Sequence, residues 1–237
     1  MRSEKSTLGW GQASENGEPK DEKSCCVDLP LRDDFTGTLQ ADSPSTKESS
    51  FFAMVMRMKY IRRWGLMRNT REENLSEHSL DVAMIVHALG MLHNTRFGGQ
   101  INVERLALLG LYHDVNEIIT GDLPTPVKYH DEQIRQAYKQ VEALAAERLV
   151  DLLPDDLQEA YRGLLGPEDP VSLRFLKAAD KLSALIKCIE EENAGNHEFA
   201  KAKEAQLEAI HALDCPEAEM FMTEFLGSFS KTLDEQG

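Results

Sequence analysis

The sequence predicts an all-α fold that follows a disordered N-terminal tail. From Phe51 onward, apolar residues recur three and four positions apart, which is the spacing of one helix face. No segment has a convincing two-residue alternation over several strands. Residues 1–49 are rich in Ser, Thr, Gly, Pro, Asp, Glu and Lys, and they contain too few large apolar residues to offset chain entropy on folding. We therefore expect a disordered extension at 1–49 and one helical domain at 50–237.

Seven segments have helical apolar spacing: residues 51–63, 76–93, 102–119, 131–152, 155–165, 170–194 and 197–231. Asn74 or Ser76 is a suitable N-cap for the second segment, because an acid follows in the positive first turn. Gly121 follows the third segment at the position where a helix favours a C-terminal glycine. Pro124 is expected to stiffen the loop that follows.

Composition excludes several classes of function. The chain has 26 Lys and Arg against 41 Asp and Glu, a net charge of -15, which disfavours general binding to nucleic acid. It has no apolar run of about 18 residues, so we expect no membrane span. The N-terminal sequence MRSEKSTLGWGQ lacks the apolar stretch of a signal peptide, and the four cysteines have no CxxC spacing. These features predict reduced thiols and a cytoplasmic location.

The segment LLGLYHDVNEIITGDLPTP (108–126) places ionisable residues in a strongly apolar helix pattern. On a helix, Gly110, His113 and Glu117 share one face, and Asp114 lies about 100° round the axis from His113. Buried charges are costly unless they are paired. A metal site with a nearby base is one interpretation, and a core histidine beside a helix-end aspartate is the alternative.

Two residues elsewhere extend this pattern. His78 lies at the start of SEHSLDVAMIVHALGML, ahead of a strongly apolar face, and Asp180 lies within VSLRFLKAADKLSALIKCI. Taken alone, Asp180 is better explained by an ion pair with Lys177 or Lys181 than by metal ligation.

The spaced set His78, His113-Asp114 and Asp180 resembles the HD-domain metal-dependent phosphohydrolases. More narrowly, RRWGLMRNTREENLSEHSL and YHDVNEIITGDLPTPVKY are similar to the bacterial-type 5′-deoxynucleotidases of that superfamily. The resemblance covers about residues 51–231. It implies an HD-domain helical bundle, a catalytic domain at 50–237 and a homodimer.

The resemblance also implies that His78, His113, Asp114 and Asp180 hold one divalent transition-metal ion. Two imidazole nitrogens and two carboxylate oxygens suit Mn, Co, Fe, Ni or Zn. Glu117 is then the catalytic residue that orients or deprotonates water, or that passes a proton to the leaving 5′-oxygen. The alternative role for Glu117 is to be a hydrogen-bond partner of a ligand histidine.

A basic segment precedes these residues. RMKYIRRWGLMRNTR (57–71) holds six of the 26 Lys and Arg and no acid, which predicts either a solvated helix end or a phosphate cradle. The resemblance assigns Arg63 to the phosphate, with a catalytic role, and Trp64 to the sugar, where its bulk disfavours a ribose 2′-hydroxyl. The remaining residues that it places in the nucleotide pocket are Asp114, Asp122, Leu123, Pro124 and Thr125.

The implied function is hydrolysis of 2′-deoxyribonucleoside 5′-monophosphates to deoxynucleoside and phosphate. One alternative is another HD phosphohydrolase activity, on nucleoside triphosphates or cyclic nucleotides. A second alternative is a non-catalytic nucleotide- or metal-sensing scaffold that works through residues 1–49. The complete ligand set together with Glu117 counts against the scaffold.

Overall fold

The computed structural model describes residues 48–128, 131–166 and 169–237. The predicted disordered segment, 1–49, lies outside the described residues except for its last two positions. Within the described part the all-α prediction is confirmed, since it contains one isolated antiparallel bridge, Arg62–Asn74, and no strand. The same residues include no helix apolar enough over a sufficient length to cross a bilayer.

The described α-helices are α1 (Phe51–Val55), α2 (Leu75–Arg96), α3 (Val103–Tyr112), α4 (Glu117–Thr120), α5 (Thr125–Lys128), α6 (Glu132–Val150), α7 (Asp155–Leu165), α8 (Pro170–Asn193), α9 (Ala200–His211) and α10 (Pro216–Phe225). Short 3₁₀ turns lie at Met56–Tyr60, His197–Phe199, Leu226–Ser230 and Leu233–Glu235.

Local signals fix two of the helix ends that matter for function. Of the two suitable N-caps, the structure uses Asn74, whose side chain accepts hydrogen bonds from the amides of Ser76 and Glu77. The Glu77 carboxylate accepts in return from the Asn74 amide at 3.2 Å, which completes a capping box. Gly121 follows α4 with φ of 76°, as predicted for a C-terminal glycine.

The main core lies where α2 packs against α3 and α8. Its fully or almost fully buried side chains include Val82, Val86, Leu89, Leu106, Leu109, Phe175, Leu182 and Leu185. Gly110 is needed at the α2–α3 contact, because a Cβ there would lie 2.6 Å from the Cα of Ala83. A second apolar cluster packs the turn after α3 against α1 and α6 through Phe51, Met58, Leu75, Val115, Leu149 and Leu153.

The prediction of one continuous helix over 102–119 is wrong. The α-helical hydrogen-bond pattern is interrupted at His113–Asn116, where the amides of Val115 and Glu117 bond to carbonyls only three residues back. The His113 ring explains part of this change, since its Nδ1 donates at 2.8 Å to the Gly110 carbonyl that the next turn of an α-helix would use. His113 and Asp114 therefore lie in a turn, not on a helix face.

Two other predicted segments are divided. The segment 51–63 becomes α1 and a 3₁₀ turn, and Arg63 lies beyond both. The segment 197–231 is interrupted between α9 and α10, where Asp214 adopts φ of 48° and Pro216 begins the next helix. Apolar spacing cannot detect such breaks, because both sides of each break contribute to the same core.

The close α2–α3 contact predicts that a residue larger than glycine at position 110 destabilises the fold. Gly110→Ala is expected to lower the free energy of unfolding by about 1–3 kcal/mol, because the added methyl meets backbone that cannot move independently. Gly227→Ala is the matched control, since no atom lies within 4 Å of its Cβ position, and we expect a change within about 0.5 kcal/mol. Denaturant unfolding measures both values, and equal stability of the two variants would contradict the close-packing account.

Candidate active site

Four predicted ligands come together at the centre of the bundle. His78 comes from α2, His113 and Asp114 from the turn after α3, and Asp180 from α8. His78 Nε2 lies 3.2 Å from Asp180 Oδ1 and 3.6 Å from Asp114 Oδ2. His113 Nε2 lies 3.0 Å from the same Asp114 oxygen. Ligand-type atoms of His78, His113 and Asp180 all lie within 4.8 Å of one another.

Both histidine rings are oriented through their Nδ1 atoms. His78 Nδ1 lies 3.1 Å from Ser183 Oγ, and His113 Nδ1 donates to the Gly110 carbonyl at 2.8 Å. The two Nε2 atoms are buried and have no hydrogen-bond partner among the described residues. These Nδ1 contacts leave the Nε2 atom of each ring facing the carboxylates, which is the arrangement of a metal-ligating histidine.

Burial and neighbouring charges lower the pKa of His78 and raise the pKa of His113. Burial, together with the nearby Arg63 guanidinium, lowers the pKa of His78 to about 4. Burial also disfavours a charged His113, but the negative charge of Asp114 outweighs it and raises the pKa of His113 to about 9. The same pairing overcomes the desolvation of Asp114 and lowers its pKa to about 2. Ionised acids in this cluster therefore require positive charge beside them.

Asp180 forms the ion pair with Lys181 that the sequence offered as the alternative to metal ligation. Only one of its two carboxylate oxygens takes part. Lys181 Nζ lies 3.2 Å from Asp180 Oδ2, whereas Oδ1 faces His78. The two interpretations of Asp180 are therefore compatible in one conformation.

Glu117 is a buried acid that lies beside the cluster. It lies at the start of α4, is 5% exposed, and its Oε2 has no hydrogen-bond partner in the described part of the chain. Burial, and then the negative charges of Asp114 and Asp122, raise the pKa of Glu117 to about 8. Its nearest cation is Lys128, with Nζ 3.8 Å from Oε1. The two histidines use other partners, so the alternative role of Glu117 as their hydrogen-bond partner is not observed.

A cavity of about 610 Å³ opens onto these groups. Its size is within the range of small-molecule sites. Its walls include the following predicted residues: Arg63, Trp64, Asp114, Glu117, Asp122, Leu123, Pro124 and Asp180. The side chain of Thr125, also predicted to line the pocket, lies outside the described residues. Three cations that the sequence reasoning did not assign also line the cavity: Lys128, Lys181 and Lys201.

Arg63 places a positive charge beside Asp114 and Asp122. Its Nη1 lies 3.5 Å from Asp114 Oδ2 and 3.8 Å from Asp122 Oδ1, and its buried Nε makes no hydrogen bond to the described residues. It is the one cation of the segment 57–71 that lines the cavity. Within this segment, Arg63 alone remains a candidate for the phosphate-cradle interpretation.

Glu73 is a functional candidate that the sequence reasoning missed. This buried carboxylate accepts a hydrogen bond from Trp64 Nε1 at 2.7 Å and lies 3.7 Å from Arg63 Nε. The backbone brings the residues together, since the Arg63 amide donates to the Glu73 carbonyl at 3.0 Å. In the sequence, Glu73 is only an acid that precedes the N-cap Asn74. Its contacts with Trp64 and Arg63, at the other end of the loop, are what suggest a function for it.

The chain has clear relatives in sequence. A family model described as 5'-deoxynucleotidase YfbR-like matches residues 50–229. The protein named 5'-deoxynucleotidase YfbR from Salmonella paratyphi B is 49% identical over 191 residues, which covers 80% of this chain and 96% of the relative. The protein of the same name from Salmonella newport has the same identity and coverage.

Solved structures share the fold. An HD-domain phosphohydrolase from Listeria innocua superposes with a TM-score of 0.68 at 25% identity, covering 76% of this chain and 88% of the other. The HD phosphohydrolase DatZ of cyanophage S-2L, solved with dA and one catalytic Zn²⁺, has a TM-score of 0.57 at 21% identity, covering 76% and 96%. The family match and the 49% identity decide the assignment: the chain belongs to the YfbR-like family of 5′-deoxynucleotidases.

Proposed function

We propose that this protein is a metal-dependent phosphomonoesterase that hydrolyses 2′-deoxyribonucleoside 5′-monophosphates to deoxynucleoside and phosphate. The observation that carries the proposal is one cavity lined by Arg63, Glu117 and the two cluster carboxylates, Asp114 and Asp180, whose oxygens lie within 3.6 Å of histidine Nε2 atoms. A family relative named 5'-deoxynucleotidase supports the substrate class. The cavity has anionic groups for a metal and cations for a phosphate within the same walls.

The residues present fit a divalent transition-metal ion. His78 and His113 offer buried Nε2 atoms without hydrogen bonds, and Asp114 and Asp180 place oxygens within 3.6 Å of them. This donor set of nitrogen and oxygen without thiolate suits Mn, Co, Fe, Ni or Zn. When bound, such an ion polarises a phosphoryl oxygen and lowers the pKa of a water molecule.

Arg63 is proposed to bind and orient the phosphate. Its contacts to the carboxylates are 3.5 Å or longer, so its N–H groups are not held in tight hydrogen bonds. Burial beside four acids also keeps it charged, since those charges outweigh desolvation and raise its pKa. A fixed guanidinium in a partly desolvated wall matches the geometry of phosphate oxygens.

Glu117 is proposed to handle the proton. A carboxyl group with a pKa of about 8 both gives up and takes up a proton near neutral pH. It can take a proton from the attacking water and deliver one to the leaving 5′-oxygen, whose departure as an alkoxide would otherwise be unfavourable. Lys128 lies on one side of Glu117 and is itself paired with Glu142 at 2.6 Å.

The sugar is proposed to lie between Trp64 and Asp122. Both residues line the cavity, and Asp122 also contacts Arg63, which is assigned to the phosphate. The carboxylate can accept a hydrogen bond from a sugar hydroxyl, and the indole occupies space that a 2′-hydroxyl would need. Selection of deoxyribose then depends on where the indole is held.

We also propose a homodimer in the cytoplasm. Helix α6 leaves Val141 and Leu144 48% and 64% exposed, although Leu149 and Val150 further along it are buried. An exposed apolar strip of this kind suits a helix-to-helix contact between two copies.

Phosphate release from purified full-length protein tests the function. We expect release from dAMP in preference to dATP and cyclic AMP, loss of activity after chelation and its recovery with Mn²⁺ or Co²⁺. The Asp180→Asn variant should not regain activity with Mn²⁺ or Co²⁺, because the substitution replaces a carboxylate oxygen of the proposed metal site. Activity that persists after thorough metal removal would contradict the metal mechanism, and preference for dATP or the cyclic nucleotide would favour the other HD activities.

Glu117→Gln tests proton handling. We expect turnover to fall by about 10²–10⁴-fold while metal content and KM stay near those of the wild type, because the amide cannot transfer a proton. Glu217→Gln is the matched control, since Glu217 is a similarly buried carboxylate that does not line the cavity. If the two variants have similar turnover in steady-state assays, Glu117 has only a structural role.

A further inference from the structure

A buried ion pair lies on α8 outside the proposed chemistry. Lys187 and Glu191 are 6% and 1% exposed, and the Lys187 ammonium donates to the Glu191 carboxylate. Removing charges from water is costly, and a buried pair of this kind is often no more stabilising than apolar residues of the same size. General stability is therefore a weak explanation for these two residues.

The other partners of Glu191 are residues of one loop and Asn196, which itself binds that loop. Its carboxylate accepts from the Thr70 hydroxyl at 2.7 Å, from the Thr70 amide at 2.9 Å and from the Arg71 amide at 3.3 Å. Lys187 Nζ donates to the Arg71 carbonyl at 2.5 Å. Asn196 Nδ2 donates both to Glu191, at 2.8 Å, and to the Arg68 carbonyl, at 2.6 Å. The pair therefore fixes the backbone of residues 68–71 to the end of α8.

These residues form the far side of the loop that carries Arg63 and Trp64. The loop is closed at its base, where the Leu75 amide donates to the Ile61 carbonyl at 2.9 Å and the Arg63 amide to Glu73. Between this base and residues 68–71, Trp64 adopts φ of 57°, a left-handed conformation unusual for a bulky residue. Such a conformation persists only when the surrounding structure determines it.

The indole itself rests on the same network. The Trp64 ring lies 5.3 Å from the ring of Phe199, which is fully buried and has Lys187 Nζ 5.7 Å from its centroid. Its Nε1 donates to Glu73, on the loop's return to α2. One side of Trp64 is therefore fixed by the ion pair and Phe199, and the other by the base of the loop.

We propose that Glu191 is a positioning residue that holds Trp64 in place for the selection of deoxyribose over ribose. Glu191 touches neither the cavity walls nor the metal-ligand cluster, and it acts through the backbone of Thr70 and Arg71. If Glu191 loses its negative charge, Lys187 and the amides of Thr70 and Arg71 lose the carboxylate acceptor that they share. The loop then no longer fixes the indole of Trp64. The inference rests on the proposed function for the selection itself, but the placement of Trp64 is independent of activity.

The experiment combines a spectroscopic readout with a kinetic one. Trp10 is the second tryptophan of the chain, so Trp10→Phe in the full-length protein leaves Trp64 as the single indole reporter. Glu191→Gln is compared in this background with Glu217→Gln. Glu217 is an equally buried carboxylate (2% exposed) that lies 2.7 Å from His93 Nδ1, accepts from Cys215 and contacts α8 at Arg174, near the opposite end of that helix from Glu191. Trp64→Ala gives the selectivity of a protein without the indole.

The expected result separates the two carboxylates. Glu191→Gln should shift tryptophan emission to the red, increase acrylamide quenching, raise KM for dAMP and lower the ratio of kcat/KM for dAMP over AMP by about 10-fold, towards that of Trp64→Ala. Glu217→Gln should lower Tm but leave emission, quenching and the ratio at the parent values.

Unchanged emission and selectivity in folded Glu191→Gln would overturn the proposal, and so would altered emission with an unchanged dAMP to AMP ratio. If Glu191→Gln does not fold, Thr70→Val carries the same test, because it removes only the 2.7 Å hydroxyl contact and should produce the same shifts on a smaller scale. If the parent hydrolyses neither nucleotide, the proposed function fails, whereas the emission and quenching data still decide whether Glu191 positions Trp64.

Discussion

One carboxylate oxygen, Oδ2 of Asp114, joins the parts of this structure that matter for function. Both histidine Nε2 atoms and the Arg63 guanidinium lie within 3.6 Å of it, and they come from α2, from the turn after α3 and from the loop before α2. A buried negative charge must have positive charge beside it. The core brings the three elements to one point, and a divalent cation at that point would satisfy the acids that the apolar helices enclose.

The backbone adapts to this requirement in two places. The turn after α3 carries His113 and Asp114, and Gly110 lets α2 and α3 approach closely enough for His78 to meet Asp114. On the other side, buried carboxylates hold a long loop so that Arg63 and Trp64 line the same cavity. In the functions that we propose, chemistry and selectivity depend on different acids: Asp114, Asp180 and Glu117 for the first, and Glu73 and Glu191 for the second.

The sequence was sufficient for the helical class, for narrowing the N-cap of α2 to Asn74 or Ser76 and for the C-terminal glycine at 121, because each depends on residues close in the chain. It was not sufficient for the break at 113–116, where a side-chain hydrogen bond within an apolar pattern ends the helix. Glu73 and Glu191 were missed for a related reason. Acids are frequent in this chain, and only tertiary contacts to Trp64, Thr70 and Lys187 distinguish these two from exposed ones.

Metal binding by the purified chain tests the central claim most directly. After chelation and reloading with Mn²⁺, Co²⁺ or Zn²⁺, metal analysis should find one ion per chain and a raised Tm, since an ion that binds the folded state stabilises it. Asp114→Asn should remain folded but lose both the ion and the increase in Tm. A wild-type protein that retains no ion, or an Asp114→Asn variant that binds one as tightly as the wild type, would contradict the account of charge compensation at Asp114.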